Sequence, residues 1–98
     1  MNKYSCIVLK AAQTDAFNAK KYYKKHSPAA YKNFIADYNL ALLSLENMPE
    51  RTPKKGDFHI LIMNRFPYVF FYTINPKKLT VTVIALFNTH QDPLKIPQ

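Results

Sequence analysis

The segment PYVFFYTINPKKLTVTVIALF, residues 67–87, reads as two strands and the turn between them. Both flanks are rich in β-branched and aromatic residues, which suit a pleated, half-buried surface. Asn75-Pro76-Lys77-Lys78 separates them, and Asn and Pro there favour a tight turn. In the second flank Thr80 and Thr82 alternate with Leu79, Val81 and Val83, giving one wet face and one dry face. Phe58 to Met63 supplies a further strand just upstream. Strands over 58–63, 67–74 and 79–87 therefore follow one another as an antiparallel run.

Toward the N-terminus the period changes. Tyr31, Phe34, Ile35, Tyr38, Leu42 and Leu45 form one long apolar stripe. The stripe is stopped by Pro49, so this helix has about 20 residues and spans roughly 30 Å. Its start is marked by Ser27-Pro28, a good N-cap followed by a proline at the first helical position. Upstream, Ala12, Ala16, Ala19 and Tyr23 share the face of another helix, and Phe17 is expected to widen that face. Lys20, Lys21, Lys24 and Lys25 sit on its other side, where cations suit the negative end of the helix dipole. So short a joint makes the two helices a hairpin.

Tyr4 to Leu9 reads as a first strand, apolar on both sides and expected to be buried on both. The fold expected is α+β, in the order β-α-α-β-β-β: a helical hairpin on a mostly antiparallel four-stranded sheet. The first strand can lie parallel to the last, because the hairpin supplies a long crossover. Residues 1–93 form a single domain and 94–98 a C-terminal tail. Glu50 to Asp57, with Pro53, Lys54, Lys55 and Gly56, is expected to be a basic exposed loop.

Composition narrows the function. Fourteen Lys and Arg against six Asp and Glu give a formal charge of +8 in 98 residues, which attracts polyanions or an acidic protein. Only Arg51 and Arg65 offer the planar fork for bidentate phosphate recognition. Cys6 is the single cysteine, so no internal disulfide forms, which fits a reducing compartment. The apolar run Cys6 to Leu9 is too short for a signal-peptide core, and Asn64, Arg65 and Pro67 interrupt the longest apolar stretch. A cytoplasmic protein with no membrane association is expected. Cys6, His26, His59 and His90 lack metal-ligand spacing, and Gly56 stands alone, so neither metal, cofactor nor small-molecule substrate is expected. Tyr and Phe at 66, 68, 70, 71 and 72 suit base stacking in principle, but an unbroken apolar run is better explained by core packing.

Two further stretches carry a resemblance. Arg65-Phe66-Pro67-Tyr68-Val69-Phe70-Phe71-Tyr72 and Val83-Ile84-Ala85-Leu86-Phe87-Asn88-Thr89-His90-Gln91-Asp92-Pro93, with the pair Tyr22-Tyr23, resemble the RelE/ParE toxin family of bacterial type II toxin–antitoxin modules, also described as plasmid stabilisation proteins. The resemblance runs from Tyr4 to Pro93. It implies a growth-inhibiting toxin held inactive by a cognate antitoxin wrapped over its apolar surface. One branch of the family poisons DNA gyrase, and the other cleaves messenger RNA on the ribosome. His59 stands where Arg is common, Asn88 where His is usual, His90 where Ser is common, and Gln91 where Arg precedes the final Asn-Pro. The depleted basic set favours a ParE-like toxin that binds gyrase and cleaves nothing. Two alternatives stay open: a metal-independent RelE-like endoribonuclease, and a decayed member that only binds antitoxin. Cleavage would need a cation for the phosphate and groups to move protons. Arg65, His59 and His90 are the candidates for those roles. Lys54, Lys55, Arg65, Asn88 and Gln91 are the candidate target-binding residues.

Overall fold

A computed structural model describes residues 3–89. Its strands and helices run β1 (Ser5–Val8), α1 (Lys10–His26), α2 (Pro28–Asn47), a 3-10 turn (Pro49–Arg51), β2 (Lys54–Lys55), β3 (Phe58–Ile62), β4 (Tyr68–Asn75) and β5 (Thr80–Asn88). The sheet order is β1-β5-β4-β3-β2. β1 runs parallel to β5, and every other pairing is antiparallel. The expected α+β architecture of two helices on a mixed sheet is present. Pairing of Lys54 with His59 and Lys55 with Phe58 adds a two-residue edge strand to the loop that follows α2. Gly56, at φ 64°, makes the two-residue turn back into β3, a left-handed conformation that costs glycine nothing.

One residue creates the helical hairpin. Ser27 is extended (φ −162°, ψ 110°), as the residue before a proline must be. Its N–H donates to Tyr23 O (2.8 Å) and closes α1, while its Oγ accepts from Ala30 N (3.2 Å) and opens α2. Across the hairpin the Lys20 ammonium lies 4.9 Å from the Tyr38 ring centre and that of Lys24 5.8 Å from the Tyr31 ring. These lysines cover aromatic faces as well as facing the helix dipole.

Ala12, Ala16 and Ala19 are buried, and their small side chains let α1 lie close to the sheet. From α2, Phe34, Tyr38, Ala41 and Leu45 are buried with Tyr68, Phe70 and Tyr72 of β4 and Val81, Val83 and Leu86 of β5. Phe34 stands at the centre of this core. Its ring is 5.3 Å from Tyr23, 6.2 Å from Tyr38, 5.3 Å from Phe66 and 5.4 Å from Tyr68.

Two expectations need correction. Phe17 is 63% exposed. It follows Ala16 by 100° around the helix and falls outside the buried face. β1 is not buried on both sides: Ser5 and Ile7 are exposed, and Cys6 and Val8 are half-buried. It is an edge strand with the helices over one face only. The alternation read over 79–83 is present, with Val81 and Val83 buried and Thr80 and Thr82 half-buried, but it does not continue past Ile84. Tyr72 faces Val83 and Phe71 faces Ala85, leaving Ile84 over as a bulge. The core positions therefore change from odd (Val81, Val83) to even (Leu86). Both faces of β4 are covered, with Val69 and Phe71 buried opposite Tyr68, Phe70 and Tyr72, so its aromatics are mainly core.

Candidate functional site

The turn from β3 into β4 carries Arg65. Tyr68 N bonds Phe66 O (2.8 Å) and Met63 N bonds Tyr68 O (2.9 Å), which fold the turn tightly. Arg65 thereby reaches α2 and forks onto Asp37, with Nε donating to Oδ2 at 3.0 Å and Nη2 to Oδ1 at 2.9 Å. The donated hydrogen bonds hold the Asp37 carboxyl below its ordinary value, against a desolvation that pushes it up. They also raise the guanidinium further.

His59 lies elsewhere. It faces Tyr72 across β3–β4 and stacks on that ring at 5.4 Å. Its Nδ1–H makes a long contact to Thr52 O, 3.4 Å. The Tyr72 hydroxyl donates to Pro49 O (2.7 Å) and meets the Thr52 hydroxyl, so one buried phenol pins the chain between α2 and β2. His59 and Ile62 are separated by ~10 Å along the strand, and Arg65 lies beyond Ile62 on a turn bent toward α2. The two are not brought together. Lys54, exposed in β2, pairs in register with His59, and the Lys55 backbone pairs with Phe58. Asn88 ends β5 opposite Tyr68, its Nδ2 donating to the Tyr68 hydroxyl at 3.4 Å. His90 and Gln91 lie outside the described residues. Lys54 and His59 thus stand at one end of β3, Arg65 at the other, and Asn88 beside α1.

A cavity of 550 Å³ opens where α1 meets the β4–β5 end. Asp15, Asn18, Tyr22, Tyr23, Tyr68 and Asn88 furnish its polar groups, with Ala19, Pro67 and Leu86 between them. Asp15 Oδ2 accepts from the Leu86 N–H (3.2 Å), just past the bulge at Ile84. Burial raises the phenols of Tyr23 and Tyr68 above the ordinary value. No motif marks Asp15 in the sequence, because its partner Leu86 lies 71 residues away. The available signal was that Asp15 is the one acid in the 17 residues of α1.

A second, apolar groove of 210 Å³ runs between α2 and β3, lined by Leu40, Ala41, Ser44, Leu61, Ile62 and Met63, with Asp37 at its edge. Leu40 is 62% exposed and Ile62 69%. Among the described residues no three His, Cys, Asp or Glu side chains gather as a metal site, and no helix is long and apolar enough to cross a membrane.

Similarity to known proteins agrees with this architecture. The chain superposes on a chain of the chromosomal ParDE toxin–antitoxin system from P. aeruginosa with a TM-score of 0.73, at 11% identity, covering 88% of this chain and 96% of that one. It superposes on a chain of the toxin–antitoxin complex RelBE2 from Mycobacterium tuberculosis with a TM-score of 0.62, at 17% identity, covering 90% and 93%. At such identities the likeness is one of fold. No curated protein sequence matches the chain. The family model described as the ParE toxin of type II toxin-antitoxin system, parDE, matches residues 7–93. The chain belongs to the ParE toxin family of type II toxin–antitoxin systems.

Proposed function

We propose that this chain is a growth-inhibiting toxin of the bacterial cytoplasm that acts by binding DNA gyrase, without cleaving RNA itself, and is neutralised by a cognate antitoxin. The separation of Arg65 from His59 carries this reading. Phosphodiester cleavage needs the cation and the proton-moving group around one phosphate, within hydrogen-bond reach of it. Here Arg65 is forked on Asp37 and His59 is stacked on Tyr72 at the far end of β3.

The groove between α2 and β3 is the docking surface we assign to the antitoxin. Leu40 and Ile62 expose apolar area there. β2 pairs only with Phe58 and His59, and Ile60 N is taken by Pro53 O (3.0 Å). Among the described residues β4 flanks Ile62 on one side, at Val69, and no strand flanks it on the other, so an extended partner segment can add at that edge. A charge of +8 favours an acidic partner.

The test is inhibition of gyrase supercoiling by the purified chain, together with growth after tightly induced expression. Arrest with supercoiling inhibited supports the reading. No inhibition at high protein excess sinks gyrase as the target. Ribosome-dependent mRNA cleavage that Arg65→Ala abolishes would establish the endoribonuclease instead. Normal growth with soluble protein in a gyrase-containing host would leave only an antitoxin-binding role.

A further inference from the structure

The cavity beside α1 combines groups of opposite character. Inside it lies a carboxylate, Asp15, among the hydroxyls of Tyr23 and Tyr68 and the carboxamides of Asn18 and Asn88. A carboxylate accepts hydrogen bonds only, and the single Leu86 N–H uses part of its capacity. At the lip Tyr22 is 56% exposed, and its ring packs on His26 at 4.4 Å between centres. Lys21 and Lys25 follow Asn18 and Tyr22 by three residues, which places them next to the lip on the helix surface. They are exposed, and among the described residues neither is paired with a carboxylate. Lys20 and Lys24, by contrast, lie over the Tyr38 and Tyr31 rings.

A ligand for this site needs an aromatic face for Tyr22, donors for Asp15 and a negative group for the two lysines. Unstacked nucleotides meet the first and last requirements. The donors select among bases. Guanine presents two adjacent donors, N1–H and N2–H, on its Watson–Crick edge. Adenine and cytosine present one donor beside an acceptor, and uracil one donor between two acceptors, each of which repels a carboxylate. The volume lies within the ~300–1,000 Å³ usual for small-ligand sites. We propose that this cavity binds an unstacked guanine base, its donors on Asp15 and its ring against Tyr22, with the attached phosphate on Lys21 and Lys25. The base comes from a free guanine nucleotide or from a single strand; the chemistry is shared. The inference stands on the cavity and not on the choice of gyrase.

Titration of the purified chain with GMP, AMP, UMP and short single-stranded RNAs with and without guanine tests it. Tyr22, Tyr23 and Tyr68 line the cavity and are three of the chain's seven tyrosines, so calorimetric titration is the primary readout and tyrosine fluorescence accompanies it. GMP is expected to bind saturably and roughly ten-fold more tightly than AMP or UMP, the selectivity of one good two-point base contact. Asp15→Asn keeps an oxygen for the Leu86 N–H and is expected to fold and lose that preference. Tyr22→Ala, at the exposed lip, weakens every nucleotide. Replacing Lys21 and Lys25 by Ala weakens GMP but leaves guanosine unchanged. If a guanine-containing strand binds more than ten-fold more tightly than GMP, nucleic acid is the source; equal affinities make it the free nucleotide. The proposal is overturned if the folded chain shows no saturable binding of GMP or of the guanine-containing strand. It is equally overturned if Asp15→Asn keeps the full preference, or if N-acetylarginine amide saturates the site and GMP does not.

Discussion

Arg65 and Asp37, 28 residues apart, meet through two parallel hydrogen bonds of 3.0 and 2.9 Å. The fork ties the β3–β4 turn to the middle of α2, and Asp37 is the more buried partner, at 11% side-chain exposure against 51%. Bidentate geometry is the form in which an ion pair at a surface holds a definite position. Here it positions an element and keeps the one arginine of that turn occupied.

The pH dependence of this pair has a definite sign. The Asp37 carboxyl is lowered in the folded state by Arg65, so its contribution to stability is present above the ordinary value of 3.8. It is lost as pH falls through the depressed folded value. Urea denaturation should find wild type more stable than Asp37→Asn at pH 7, with the difference shrinking below pH 3.8. A difference that grows in acid would contradict the pairing.

Tyr72→Phe tests the phenol that pins the segment after α2. The ring is fully buried, and its hydroxyl serves both Pro49 O and Thr52. Losing it strips a buried carbonyl of its donor, which costs about 1–3 kcal/mol. Thr52→Val should cost less, because it leaves the Pro49 bond in place. Amide exchange at Ile60, whose N–H donates to Pro53 O, should accelerate in Tyr72→Phe more than exchange in β5.

Phe34→Ala empties the meeting point of four aromatic rings and should cost ~3–5 kcal/mol, more than any single exposed apolar change. Phe17→Ala is the matched control. Phe17 is 63% exposed, so its loss should move the thermal midpoint little. Equal losses for the two would place the core elsewhere.

Alkaline stability follows from the buried phenols. Tyr23, Tyr38, Tyr68 and Tyr72 are all raised, burial being the largest cause in each. The folded chain therefore holds these protons more tightly than the unfolded chain does. Their contribution is intact below 10.0 and falls as pH rises through the higher folded values. Circular dichroism across that range should show unfolding coincide with tyrosinate absorbance. Ionisation of all seven tyrosines without unfolding would argue against the buried placement.

Local sequence determined the elements. Ser27-Pro28 specifies the break between the helices because capping and the proline constraint act within three residues. Asn75 specifies its turn the same way, Oδ1 accepting from the backbone N–H of Lys77 and Lys78 (3.1 Å each). The periods of α1, α2 and the strands set the order of the fold, and the RelE/ParE resemblance lay in residues readable without coordinates. Long-range relationships were another matter. The parity change at Ile84, the exposure of Phe17, the Arg65–Asp37 fork and the cavity closed by Asp15 and Leu86 all depend on residues far apart in the chain. Each is settled by which surfaces meet once helices and sheet pack. A side chain's neighbours within a turn or a strand are written in its local sequence, but its partners across the core exist only after packing brings them within hydrogen-bond reach.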